Sequence, residues 1–211
     1  MKRSDFIKNI ALSSAAITLG AKVKAASLLS KNAFVHPGIL HTKEDIARIK
    51  LAVKNNAHPQ MDSFKILEQH ETSSANYKMQ GPFPRIARDG VDKHTKTPVE
   101  NDVNAAYHNA LMWVITEDKA HAEKSIEILN AYANTLQGIT GSNDNALTAS
   151  LDGFIFVNAA EIMRYTYNDW HKNDIRKCED MFRDVFYKAL TKTFFHSQDY
   201  TNGNWGNAAI K

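Results

Sequence analysis

Cysteine is almost missing: Cys178 stands alone among 211 residues, which excludes a disulfide scaffold and a zinc site built on cysteines. No run of 18 apolar residues occurs, so the sequence offers no helix made to span a membrane. Positive charge is scarcer than its total suggests. The chain carries 26 Lys+Arg against 23 Asp+Glu, a net of +3. Residues 1–25 hold five basic residues (Lys2, Arg3, Lys8, Lys22, Lys24) and one acidic residue (Asp5), a net of +4, so the remainder sits at −1. No Arg/Lys stripe is left there to hold a nucleic acid, and that class of partner is excluded.

What is present fits one globular domain. Hydrophobic residues make up 43% of the chain and charged residues 23%, enough of the first to build a core. Residues 1–25 read as an export signal: a basic start, a short apolar stretch from Ile10 to Ala21, and small residues at Val23-Lys24-Ala25. A periplasmic location is expected, with no membrane contact after cleavage and the mature domain running over 26–211. Nothing in the sequence sets an oligomeric state.

The body predicts helical hairpins and no strand. Thr42 reads as an N-cap with Glu44 and Asp45 in the first turn, followed by Ile46, Ile49 and Val53 at helical spacing. A second helix starts near Met61. Residues 72–100, with Gly81-Pro82-Phe83-Pro84 and Pro98, predict a long irregular connection, and loops of that length are more often functional than accidental. From Asn101, Val103, Tyr107, Ala110, Leu111 and Val114 mark one helix. Glu117-Asp118 turns the chain into another, through Ala122, Ile126, Leu129, Ala133 and Leu136. Leu151, Ile155, Ala159 and Ile162 mark a third, and Ile175, Cys178, Phe182 and Phe186 a fourth. The expected fold is all-α, its hairpins forming part of an incomplete α/α toroid or else an α-solenoid. Asn202-Gly203-Asn204-Trp205-Gly206-Asn207 reads as the opening of a helix at the chain's end, so the sequence is expected to be the N-terminal portion of a larger domain.

Four features bear on chemistry. The cluster His196 to Asn207 fits either a loop of turn-forming Asn and Gly residues or a saccharide site, in which Trp205 stacks on a sugar ring and an Asn amide binds a carboxylate. In the long connection, Arg88 could grip a carboxylate with paired hydrogen bonds or form a surface pair with Asp. Tyr107 and Trp113 read as packing residues and His108 as a polar-face residue. Ser142-Asn143-Asp144-Asn145 lacks the glycine and the terminal glutamate of a calcium loop, so no metal is expected. Phosphate loops, nucleophile elbows and zinc-protease motifs are absent, and no cofactor is expected.

Several blocks in order, His36-Pro37-Gly38-Ile39-Leu40-His41-Thr42, Asn104-Ala105-Ala106-Tyr107 to Trp113, Ile128 to Ala133, Leu151-Asp152-Gly153-Phe154 with Ala159-Ala160-Glu161-Ile162, and Asn202 to Asn207, give a chain that resembles the alginate lyase family of polysaccharide lyases over most of residues 36–211. The resemblance implies β-elimination on a uronic-acid polymer. The C5 proton beside the sugar carboxylate becomes removable only when hydrogen-bond donors neutralise that carboxylate. A base near C5 and an acid beside O4 complete the reaction.

Related toroid lyases use an Asn followed by Trp as neutraliser, which makes Asn204 the catalytic candidate. Trp205, Arg88, Tyr200 and Asn202 are the substrate-binding candidates. Some alginate lyases carry Asn-His where this chain has Asn204-Trp205, which leaves glucuronan or another polyuronate beside alginate as substrate. The family's His/Tyr acid–base pair is expected beyond Lys211, so the chain alone is expected to lack lyase activity. Two alternatives stand: a glycoside hydrolase on the same toroid, using Asp152 and Glu161, and a non-catalytic helical carbohydrate-binding protein.

Overall fold

The computed structural model describes residues 34–141, 144–194 and 208. The expected export signal lies outside the described residues. His36–Lys211 forms one compact unit, and it is all-α apart from one pair of two-residue strands. Helix α1 (Lys43–Lys54) opens with the expected cap: Thr42 Oγ1 accepts from the Asp45 backbone N–H while the Asp45 carboxylate accepts from the Thr42 backbone N–H. Helix α2 (Gln60–Gln69) follows.

Helix α3 (Lys96–Thr116) begins five residues earlier than the sequence suggests. Pro98 lies in its first turn, where a backbone N–H would have no helical partner anyway, so proline there starts a helix and does not mark a loop. Glu117 takes a left-handed conformation (φ 61°) to end it, and Asp118 caps α4 (Lys119–Thr135). Helix α5 (Asn145–Thr166) also starts ahead of expectation. Its buried face is Phe156, Ala159, Ile162 and Met163, whereas Leu151 is exposed. Helix α6 (Lys172–Met181) continues through a π-helical segment, Phe182–Tyr187, into α7 (Lys188–Phe194).

Helix α3 packs against both α4 and α5, and α6 packs on α4. Trp113 Nε1 near the end of α3 donates to Thr166 Oγ1 at the end of α5 (3.0 Å). Thirteen or fourteen residues earlier, Arg88 bridges Glu100 of α3 and Asp152 of α5. The two helices therefore run parallel, and α4 returns the chain between them. Helices α3 and α5 thus form a parallel pair with α4 packed against them and α6 packed on α4. An edge-to-face aromatic cluster ties the layers: Phe156 of α5 lies 5.5 Å from Tyr132 of α4, and 6.1 and 6.5 Å from Phe182 and Phe186. Helix α5 is long and apolar enough to cross a membrane by composition, but 67% of its most apolar window is buried, as in a core helix.

The connection between α2 and α3 is not irregular throughout. Strand β1 (Arg85–Ile86) pairs in parallel with β2 (Gly138–Ile139), in the register Arg85 to Gly138 and Ile86 to Ile139. Period-two alternation cannot reveal strands of two residues, which is why the sequence reading missed them.

Candidate active site

The long connection is held by one buried carboxylate. Asp102, fully buried on α3, accepts from Tyr77 Oη (2.9 Å) and the Gln80 backbone N–H (2.8 Å) on Oδ1. On Oδ2 it accepts from the Gly81 backbone N–H and Tyr132 Oη, both at 2.8 Å. Four donors replace the water that burial removed. Burial, with Asp102 alongside, raises both tyrosine pKa values well above the ordinary range. Only glycine fits at position 81, because an added Cβ would lie 2.5 Å from Tyr132 Oη.

From this anchor the chain runs through β1 to Ala87, whose N–H donates to the buried Thr95 Oγ1 (3.0 Å). Arg88 is thereby delivered over the N-terminal halves of α3 and α5. Its Nη1 lies 2.8 Å from Glu100 Oε1 and 3.9 Å from Asp152 Oδ1, with the arginine side chain 18% exposed. Arg88 is thus neither a surface residue nor paired with its neighbour Asp89 in this cluster. It is a mostly buried cation shared between two carboxyls on two helices.

Asp152, 8% exposed, has its carboxyl pushed up to about 7. Burial is the main cause and Glu100 adds to it, against the opposing pull of Arg88 and Lys96. The arrangement holds a carboxylate-binding guanidinium beside a carboxyl able to gain or lose a proton near neutrality. A separate cavity of about 230 Å³ lies against α5 between Gly153, Phe182, Phe186 and Leu190, and none of Arg88, Glu100 or Asp152 lines it.

Of the catalytic and substrate-binding candidates of the lyase reading, Arg88 is the one described, and it joins Asp152 here. Tyr200, Asn202, Asn204 and Trp205, with His196, lie outside the described residues, as do Ser142 and Asn143. The carboxyl pair offered for the hydrolase alternative does not suit it. Asp152 and Glu161 stand nine residues apart on one helix, roughly 13 Å along its axis, beyond the separation either hydrolytic mechanism uses. Glu161 Oε1 is also occupied, 2.6 Å from His36 Nδ1 and accepting from the Gly38 N–H (3.2 Å).

Sequence reasoning missed a second polar group. His41 Nε2 lies 2.5 Å from Tyr107 Oη, and both line a cavity of about 410 Å³ with His108. His108 is half-buried and faces this cavity. No local motif announces this group, since His41 and Tyr107 are 66 residues apart. Among the described residues no three His, Cys, Asp or Glu side chains are placed to hold a metal ion.

Neither the curated proteins nor the solved structures contain a match to this chain. The family model described as alginate lyase matches residues 49–211, a span that takes in Arg88, Glu100, Asp102 and Asp152. With that match over most of its length, the chain belongs to the alginate lyase family.

Proposed function

We propose that this chain is an exported protein whose hairpins form part of an α/α toroid, and that it acts in β-elimination on a uronic-acid polymer, alginate or a related polyuronate such as glucuronan. Arg88 binds a substrate carboxylate. Asn204 neutralises the carboxylate next to the C5 proton, and Trp205, Tyr200 and Asn202 bind the sugar chain. The observation that carries the reading is Arg88 itself: a guanidinium fixed by the Asp102 anchor, mostly buried, and shared between Glu100 and Asp152. A guanidinium offers five N–H donors in a planar fork, so the pair with Glu100 leaves donors for a second carboxylate. Membership of the alginate lyase family supports the substrate class.

In the reaction, the donors at Arg88 and Asn204 offset the charge that builds up when the C5 proton leaves. The C4–O bond then breaks to leave an unsaturated uronate, and the departing oxygen takes a proton. The test is binding of alginate and glucuronan oligomers by calorimetry, with dextran as the neutral control. Both polyuronates are expected to bind, dextran not, and Arg88→Ala is expected to weaken binding about tenfold, the loss of one charge-assisted contact. Equal binding of dextran, or unchanged affinity in Arg88→Ala, overturns the reading. Ultraviolet absorbance of the unsaturated product reads elimination in the same samples.

A further inference from the structure

The 410 Å³ cavity between α1, α2 and α3 carries a hydrogen-bond acceptor whose identity follows from its neighbours. Thr72 Oγ1 lies 2.8 Å from His70 Nδ1 and 2.6 Å from His108 Nδ1. The Thr72 backbone N–H donates to His70 Nδ1 (3.3 Å), so that nitrogen bears a lone pair. The Thr72 hydroxyl must then give its single proton to His70, because an oxygen lone pair facing a bare nitrogen would repel it. Oγ1 is left as an acceptor toward His108, and His108 Nδ1 must supply the hydrogen. A neutral imidazole protonated at Nδ1 has a bare Nε2. With Nδ1 turned to Thr72, Nε2 is the ring nitrogen left for the cavity.

The rest of the wall is uncharged. Burial, with His70 nearby, lowers the pKa of His108, and burial also lowers that of His41. The Tyr107 hydroxyl is pushed up to about 12 by burial. No Asp, Glu, Lys or Arg lines the cavity among the described residues. Phe64, Leu67, Leu111 and Ile115 supply apolar surface. An anionic sugar entering here would lose its hydration without gaining a counter-charge.

We propose that this cavity binds an uncharged aryl alcohol, its ring seated among Phe64, Leu67, Leu111 and Ile115 and its hydroxyl donating to His108 Nε2. The charge-free wall complements a neutral ligand, and the His108 acceptor favours one with a donor, beside the polar side chains of Gln60 and Ser63 on the same wall. The site is separate from the Arg88 cluster and does not depend on the lyase reading.

The experiment follows the histidine ring proton resonances of the 211-residue chain during titration with phenol, anisole and glucuronate. Phenol is expected to shift the His108 and His41 signals saturably. Anisole, of similar shape but without a hydroxyl donor, is expected to bind about tenfold more weakly, the worth of one hydrogen bond. Glucuronate is expected to leave both signals in place. Leu111→Trp, which fills the cavity, is expected to abolish the phenol shifts while the chain keeps its circular dichroism spectrum. Absence of saturation by phenol, equal affinity for phenol and anisole, or displacement of phenol by glucuronate overturns the proposal, and does so without touching the polyuronate reading.

Discussion

Asp102 and Asp152 are both buried carboxyls in the N-terminal halves of neighbouring parallel helices, yet their surroundings differ in kind. Asp102 receives four hydrogen bonds at 2.8–2.9 Å, two on each oxygen. Asp152 has a guanidinium nitrogen 3.9 Å away and Glu100 opposing it. The first carboxyl is saturated with donors and fixes the backbone of the long connection. The second is undersupplied, and its proton affinity rises as a result. Burial therefore does not decide whether a carboxyl serves structure or chemistry; the supply of donors does. The two are linked in series, because the connection that Asp102 anchors is the one that carries Arg88 to Asp152.

The comparison breaks most readily at Asp102. Asp102→Ala leaves two tyrosine hydroxyls and two backbone N–H groups without their acceptor in the core, and is expected to cost about 3–5 kcal/mol in urea unfolding. A cost below about 1 kcal/mol would mean that the anchor is not what holds the connection. At Asp152 the sign reverses. Its folded pKa of about 7 lies above the unfolded value of 3.8, so between those limits the folded state binds more protons and stability falls as pH rises. Asp152→Asn removes that ionisation. It is expected to unfold later than wild type at pH 8, by a few kcal/mol from a shift of this size, and to lose the advantage toward pH 4. A variant destabilised at pH 8 would show that Arg88 outweighs burial at this carboxyl.

Where the physics is local, the sequence carried the answer. The Thr42 N-cap and the Glu117-Asp118 turn depend on residues within a few positions of one another, and both are observed; of the apolar period expected for α4, Ala122 and Leu129 are buried while Ile126 and Ala133 are half-buried. Where partners are distant, it did not. Asp102 meets Tyr77 and Tyr132 from 25 and 30 residues away, and Arg88 meets Asp152 across two helices. Along the chain Asp152 stands out only as one of two helix carboxyls open to a hydrolytic role, with nothing to pair it with Arg88. Only the parallel packing of α3 and α5 turns it toward Arg88. Arg88 itself was legible because it sits in a long Pro-rich connection, although its burial was not. The onset of α3 was misread for a related reason: proline signals a loop or a first turn equally well until the neighbouring contacts are known.

Gly81 tests the anchor without removing its charge. A Cβ there would press on Tyr132 Oη at 2.5 Å and on Phe83 at 3.0 Å, so Gly81→Ala must displace either the tyrosine or the connection. The expected cost is about 1–3 kcal/mol, as for other overpacked sites, and smaller than that of Asp102→Ala because the four donors keep an acceptor. The mildest effect concerns pH and ligand together. Above pH 7 an ionised Asp152 competes with a substrate carboxylate for Arg88; below it the protonated form does not. Uronate carboxyls stay ionised throughout that interval, since ordinary carboxyls titrate near pH 4. Polyuronate affinity is therefore expected to rise roughly two- to fivefold from pH 8 to pH 6, a single-charge effect partly screened by solvent. Asp152→Asn should bind with nearly constant affinity over the same range. If wild type and Asp152→Asn instead trace the same pH profile, the proton on Asp152 has no influence on Arg88, and the contrast between the two buried carboxyls reduces to one of stability alone.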